Sequence, residues 1–301
     1  WDLGRELPGD RDIVLEGDGL TGRQIALLVC GGIAAYRSPD LIRSLRRHGA
    51  QVQVYVTPEA LRFVTRDVLE WCSLSPVIDQ LDGRAQHVED ARQIDLYLLA
   101  PATYSTINKF ALGLADNAVT TTLAGALGRL ERGECKIQVV PTMHGSMVND
   151  VLRESLERLD QLGVEIVAPR PGAGKANLPE VDALVAGVER SISARGRGAR
   201  LAGAHVLVTG GPTPVALDDV RVLTNRYSGQ TAVGIADLFY RAGAEVELIL
   251  SGTSIDSPSW IRTHRVASYD EYKTRCLDSA ADVGIFSAAV ADYRPKGPVQ
   301  G

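Results

Sequence analysis

The chain has 301 residues, enough for two domains of ordinary size, each with its own core. With 45% hydrophobic residues, 23% charged residues and a formal net charge of -5, it lacks the basic footprint of a nucleic-acid-binding protein, so its ligands are expected to be small molecules. Its four cysteines (Cys30, Cys72, Cys135, Cys276) share no C-x-x-C spacing, and no apolar stretch approaches the ~20 residues of a membrane span, so a cytoplasmic chain with reduced thiols, no metal and no membrane contact is expected.

Residues 1–20, opening "WDLGRELPGDRD", show no strong period and read as a helical or irregular arm without the apolar segment of a secretory signal. From Gln24 the pattern is an apolar run, a Gly or Pro corner, then helical periodicity, repeated through "QIALLVC", "QVQVYV", "IDLYLLA", "KIQVV" and "GVEIVAP". Short continuous apolar runs between amphipathic stretches are what a parallel sheet covered on both faces requires. Residues 21–193 are therefore expected to form a doubly wound α/β domain. Gly and Arg then replace the period in "SARGRGARLAG", and 194–203 reads as a linker. The pattern restarts over 204–301 with three strand candidates, "AHVLVTGG", "AEVELILSG" and "ADVGIFSAA", few for a free-standing Rossmann-like sheet. The second domain is expected to be α/β and incomplete at Gly301.

Ligands of open α/β sheets bind beyond the carboxyl ends of the strands, which directs attention to the corners. Gly31, Gly32 and Ile33 open a helix and suit a phosphate approached by backbone N–H groups, although glycine there can equally serve a tight turn. A nicotinamide dinucleotide site would show G-x-G-x-x-G and then an acidic residue at the end of the second strand. Here the glycines are adjacent and that strand ends in Thr57, whose hydroxyl can donate to phosphate or flavin oxygens. The third corner, "APATYSTINKF", adds Thr103, Ser105, Thr106 and Lys109, a lysine near a helix start. The fourth, "PTMHGSM", carries His144, a lone imidazole that could as well be a solvated loop side chain.

Taken together, "CGGIAAYRSPDLIRSLRRHGAQVQVYVT", "HVEDARQIDLYLLAPATYSTINKFALGLADNAVTTTLA" and "PTMH" resemble the homo-oligomeric FMN-containing cysteine decarboxylases, in which "GGIAAY", "APAT…K…G.ADN" and "PAMN" recur in this order. "VLVTGGPTPVALDDVRVLTNRYSGQTAVGIADLFYRAGAEVELI" and "AAVADYRP" resemble phosphopantothenate–cysteine ligase. The whole stretch from about residue 20 onward is thus similar to the bifunctional coenzyme A biosynthesis proteins that fuse the two activities. The resemblance implies FMN as electron sink for decarboxylating 4'-phosphopantothenoylcysteine to 4'-phosphopantetheine. It assigns cofactor contacts to Gly31, Gly32, Ile33, Thr57, Thr103, Ser105, Thr106, Lys109, Asp116, Asn117 and Met143. It also implies a proton-handling role for His87, just ahead of the third strand, and trimers with FMN near a subunit interface.

Two departures from the family pattern bear on function. His144 stands where "PAMN" has Asn, and an imidazole can still donate a hydrogen bond to the substrate carboxylate. The covering flap, "PRPGAGKANLPEVDAL", has no Cys to act as proton donor and offers Lys175 as a contact to substrate phosphate or carboxylate. For the ligase half, the resemblance implies joining of 4'-phosphopantothenate to cysteine through a CTP-derived acyl-cytidylate with Mg2+, with Asn225 on the acyl intermediate and Gly210, Gly211, Ala289 and Asp292 on the nucleotide. Gln230 replaces the Lys of "SSGK", so the chain as given is expected not to ligate unaided. An NAD-dependent oxidoreductase is disfavoured by Thr57. A flavin-binding regulatory subunit without turnover is kept open by the missing flap Cys.

Overall fold

A computed structural model of the chain describes residues 12–81, 93–172, 174–194, 199, 201–218 and 220–293. The chain divides into two compact units, Trp1–Val188 and Glu189–Gly301.

In the first unit the apolar runs become strands β1 (Gln24–Val29), β2 (Gln51–Val56), β3 (Leu96–Ala102) and β4 (Lys136–Pro141). Two short strands follow, β5 (Met143–His144) and β6 (Glu165–Ile166), then a hairpin of β7 (Arg170–Gly172) and β8 (Lys175–Asn177). The main sheet is entirely parallel, in the order β2-β1-β3-β4-β6. Residues Ile25 to Val29 are each 0% exposed, because β1 lies centrally with both faces covered, and this explains an unbroken apolar run in place of alternation.

The connecting helices are α1 (Ser38–Arg47), α2 (Arg66–Ser73), α3 (Tyr104–Ala111), α4 (Ala118–Glu131), α5 (Asp150–Gln161) and α6 (Val181–Ser193). Their starts follow from side-chain chemistry: Thr65, Thr103, Asn117 and Asn149 each accept a hydrogen bond from a backbone N–H of the first turn. The helix expected directly after Gly31-Gly32 opens instead as a 3-10 turn, Ile33–Arg37, which leads into α1. Leu20, in the irregular approach to β1, is fully buried, and its N–H donates to the His48 carbonyl at the end of α1.

The second unit holds β9 (His205–Gly210), a small antiparallel pair of β10 (Val215–Ala216) and β11 (Val222–Leu223), β12 (Glu245–Ser251), β13 (Arg262–Val266) and β14 (Val283–Phe286). Its helices are α7 (Gln230–Arg241) and α8 (Tyr269–Leu277). The sheet is parallel, ordered β13-β12-β9-β14. Among the described residues it therefore has four strands where three are legible in the sequence. The additional one, "RTHRV", is an edge strand with only part-buried or exposed residues, and edge position removes the apolar run that would announce it.

A buried cation ties α4 to the sheet. Arg129 Nη1 donates to the Ile94 carbonyl at 3.0 Å and to the Tyr97 hydroxyl oxygen at 3.1 Å. Arg129→Met should leave both oxygens without this donor and lower the unfolding free energy by about 1–3 kcal/mol, measured by urea denaturation. An unchanged midpoint would show that water replaces the guanidinium.

Candidate functional site

In the order β2-β1-β3-β4-β6 the chain turns to one side of β1 and then to the other, so the loops leaving β1 and β3 diverge and a crevice opens between them. A cleft of about 690 Å³ lies there, within the range for small-molecule and cofactor sites. Gly31, Gly32 and Ile33 line it from the β1 side, and Pro101, Thr103 and Ser105 from the β3 side. Met143, His144 and Lys175 line the rest, so most of the expected site residues in the first unit converge on one surface.

The "PTMH" corner is held by backbone. β5 pairs antiparallel with β8, which sets Met143 opposite Ala176 and His144 opposite Lys175, and β8 pairs in turn with β7. Gly145 meets the hairpin so closely that a Cβ there would lie 2.0 Å from the Gly174 carbonyl oxygen. His144 Nδ1 accepts from the Ser146 N–H at 3.3 Å and lies 2.9 Å from the Ser146 hydroxyl oxygen. With Nδ1 accepting, a neutral imidazole would keep its N–H on Nε2, the remaining polar atom of a side chain that lines the cleft.

Several expected contacts fall elsewhere. Thr57 is buried behind the cleft, and its Oγ1 accepts from the Gly31 N–H at 3.1 Å, so it supports the glycine turn and does not line the cleft. Thr106 is likewise buried, with Oγ1 accepting from the Thr103 hydroxyl at 3.2 Å. Lys109 lies in the last turn of α3, not near its start, because Thr103 is already the cap and five residues exceed one helical turn. It pairs with Asp116 at 2.5 Å, and this hydrogen bond holds the Asp116 carboxyl below the usual carboxylate range. Asn117 caps α4, and none of Lys109, Asp116 and Asn117 lines the cleft. His87 lies outside the described residues. None of the four cysteines is in a disulfide and none lines the cleft; burial pushes the Cys30 thiol up, just past the end of β1.

The cleft also contains cations that the motif reading passed over. Arg37, at the end of the 3-10 turn, and Arg170, on β7, both line it. Their signal in the sequence is charge: Arg170 and Lys175 are the only charged residues of the Gly/Pro-rich stretch 169–178.

In the second unit the loops expected to meet a nucleotide do come together. Ala289 donates its N–H to the Gly211 carbonyl at 3.0 Å, and Asn225 Nδ2 donates to the Ala289 carbonyl, also at 3.0 Å. Gly210 packs against α7, where a Cβ would lie 2.2 Å from the Ala232 Cβ. Asp292 is exposed close by in sequence, and Gln230 begins α7. A hollow of about 370 Å³ lies at the other end of the strands, beside His205, Glu245 and Arg262, away from these loops. Among the described residues no His/Cys/Asp/Glu group could hold a metal ion, and no helix is long and apolar enough to cross a membrane.

Two family models match the chain, the flavoprotein family over residues 15–193 and the DNA/pantothenate metabolism flavoprotein C-terminal domain over residues 201–300. The chain is 34% identical over 287 residues to a protein of Thermococcus kodakarensis named coenzyme A biosynthesis bifunctional protein CoaBC, covering 92% of this chain and 68% of that one. Proteins of the same name from Methanocaldococcus jannaschii and Bacillus subtilis are 31% and 33% identical, each covering over nine-tenths of this chain and, respectively, 66% and 70% of their own lengths. The chain thus spans about two thirds of the length of these relatives. Among solved structures, the FMN-dependent cysteine decarboxylase TvaF from thioviridamide biosynthesis matches at 27% identity and a TM-score of 0.45, over 49% of this chain and 90% of that one. The FMN-binding protein AtHal3 matches at 22% identity and a TM-score of 0.49, over 58% of this chain and all of that one.

The contact between Gly145 and Gly174 makes the hairpin's position testable without any ligand. Gly145→Ala should push β5 off the hairpin, and amide hydrogen exchange at Lys175–Asn177 should accelerate at least tenfold relative to the parent. Equal exchange rates would mean that side chains, not this backbone contact, hold the hairpin down.

Proposed function

The chain belongs to the family of the bifunctional coenzyme A biosynthesis proteins, and from that premise we propose that its first unit decarboxylates 4'-phosphopantothenoylcysteine with FMN while its second unit is the phosphopantothenate–cysteine ligase half. The observation that carries this reading is the cleft at the β1/β3 crossover, where a glycine corner and the His144 imidazole line one space of cofactor size.

The residues present fit FMN. Gly32 stands in an extended conformation on the cleft wall, where a Cβ would meet only Thr103 Cγ2, at 3.6 Å, so backbone and not side chain faces the space. Gly31, Gly32 and Ile33 would hold the cofactor from one side and Thr103, Ser105 and Met143 from the other, with Thr57 and Thr106 keeping the two corners in place from behind. Bound there, FMN supplies the oxidising electron sink that loss of CO₂ from a carbon beside an amide nitrogen requires.

The chain's own residues do the positioning. His144 donates from Nε2 to the substrate carboxylate, and Lys175, opposite it on β8, contributes positive charge to the same anion. His87 handles a proton as general acid or base. In the second unit Asn225, fixed against the Ala289 carbonyl, presents its amide oxygen to the acyl group, with Gly210, Gly211, Ala289 and Asp292 around a CTP-Mg2+ substrate. The protein acts in the cytoplasm as a homo-oligomer built from trimers. Exposed Leu112 and Leu114, next to the Lys109–Asp116 pair, support such a surface and would bring Lys109, Asp116 and Asn117 toward a neighbouring copy's cofactor. A second reading, flavin binding without turnover, is favoured by the absence of cysteine from Arg170–Asn177.

Purified protein should be yellow with FMN, and CO₂ release should separate the two readings. His144→Ala should keep its flavin and lose roughly 10- to 100-fold in decarboxylation rate, the worth of one donor to a charged acceptor, while His144→Asn should retain much of it. His87→Asn should lose roughly 10²–10⁴-fold. Parent-like CO₂ release by His144→Ala would reduce that imidazole to a loop residue.

A further inference from the structure

Glu180, just ahead of α6, bridges two guanidinium groups. Its Oε2 accepts from Arg37 Nη2 at 2.9 Å and its Oε1 lies 3.0 Å from Arg170 Nη1. The two arginines come from different elements, the turn after β1 and the hairpin strand β7, and both line the cleft. One carboxylate between two guanidinium groups leaves the trio with a net charge of about +1. A guanidinium has five N–H donors, and the contact to Glu180 occupies one nitrogen of each. The Arg37 hydrogen bond holds the Glu180 carboxyl below the usual carboxylate range, so the trio keeps this charge at neutral pH. Arg37 is also the residue ahead of the first turn of α1, where the positive end of a ten-residue helix favours an anion.

We propose that Arg37 and Arg170, set side by side by Glu180, form a clamp for a phosphate monoester in the cleft. A phosphate monoester carries about −1.5 to −2 at pH 7 and its oxygens match the planar fork of arginine, whereas a carboxylate at this place would merely duplicate Glu180. The inference rests on reading the cleft as the decarboxylase site, in which two such groups occur, the 4'-phosphate of the substrate and the phosphate of FMN. The clamp takes one of them. If only the salt bridges mattered, the trio would simply pin the hairpin to α1, and its loss would alter stability without altering the preference for phosphorylated ligands.

Equilibrium binding decides between these roles without requiring turnover. FMN and riboflavin form one pair of probes; 4'-phosphopantetheine, the product of the proposed decarboxylation and not a substrate of the second unit, and pantetheine, titrated into flavin-loaded protein, form the other. Replacing both arginines, Arg37→Ala with Arg170→Ala, should reduce the parent's preference for the phosphorylated member of one pair by roughly tenfold to a hundredfold, with unphosphorylated binding changed less than about threefold. Loss in the FMN pair identifies the cofactor's phosphate, and loss in the pantetheine pair the substrate's. The gentler pair Arg37→Lys with Arg170→Lys keeps the charge and should lose part of the preference, which covers the case in which the Ala variant does not fold. A preference that survives in the variants, or a parent with no preference in either pair, overturns the clamp. A parent that binds phosphate through these arginines yet releases no CO₂ would retain the clamp and refute the decarboxylase reading.

Discussion

The reversal of strand order beside β1 is the constraint on which the first unit's site depends. A parallel sheet must send each crossover to one face or the other, and where successive crossovers part company no helix can fill the gap above the strand ends. The chain meets that gap with the two kinds of residue that tolerate it: glycines after β1, and a hydroxyl-capped helix start after β3. The same rule operates in the second unit, where β9 has β12 on one side and β14 on the other. There the loops after β9 and β14 meet through the Gly211–Ala289 hydrogen bond, and Asn225 is drawn in from outside the sheet to cover them.

Two layers of polar residues surround the first cleft and they have separate tasks. Thr57 and Thr106 are buried, each hydroxyl spent on a neighbouring corner, so their contribution to any ligand passes through the shape of the loop they support. The exposed layer, His144 with Lys175 and Arg37 with Arg170, carries the groups that can meet an anion directly. Such a division is physically sensible, since a buried hydroxyl can hold only one geometry, whereas a half-exposed cation can follow its ligand.

The main sheets were largely legible from the sequence because central strands are apolar on both faces, and "QIALLVC" and "IDLYLLA" have no other reasonable reading. Strands that lie at an edge or on the surface were not. "RTHRV" has polar residues because one side of it faces solvent, and β5, β7 and β8 are two or three residues long, too short for any period to emerge. For the site, the glycine corner, Thr103, Ser105, Met143, His144 and Lys175, singled out by their motifs, line one surface. Thr57, Thr106, Lys109, Asp116 and Asn117 are in those same motifs but lie off that surface within this chain, engaged in turn support, an ion pair and a cap. A motif records that a residue type is needed at a position; only geometry tells whether the need is for a ligand or for a bend. Arg37 and Arg170 are not marked for the converse reason: nothing in their local pattern distinguishes them from solvated charges, and Arg37 lies 143 positions from the Glu180 that links it to Arg170.

The contact of Gly145 with the Gly174 carbonyl has a consequence for how the site can drift over generations. A hairpin latched by main-chain atoms does not depend on which side chains flank the latch. Side chains at positions 144 and 175 can then be exchanged without releasing the cover from the corner. Chemistry at this cleft is thereby uncoupled from architecture: the close approach of two glycines sets where the cover lies, and the side chains beside them set what it offers to a ligand.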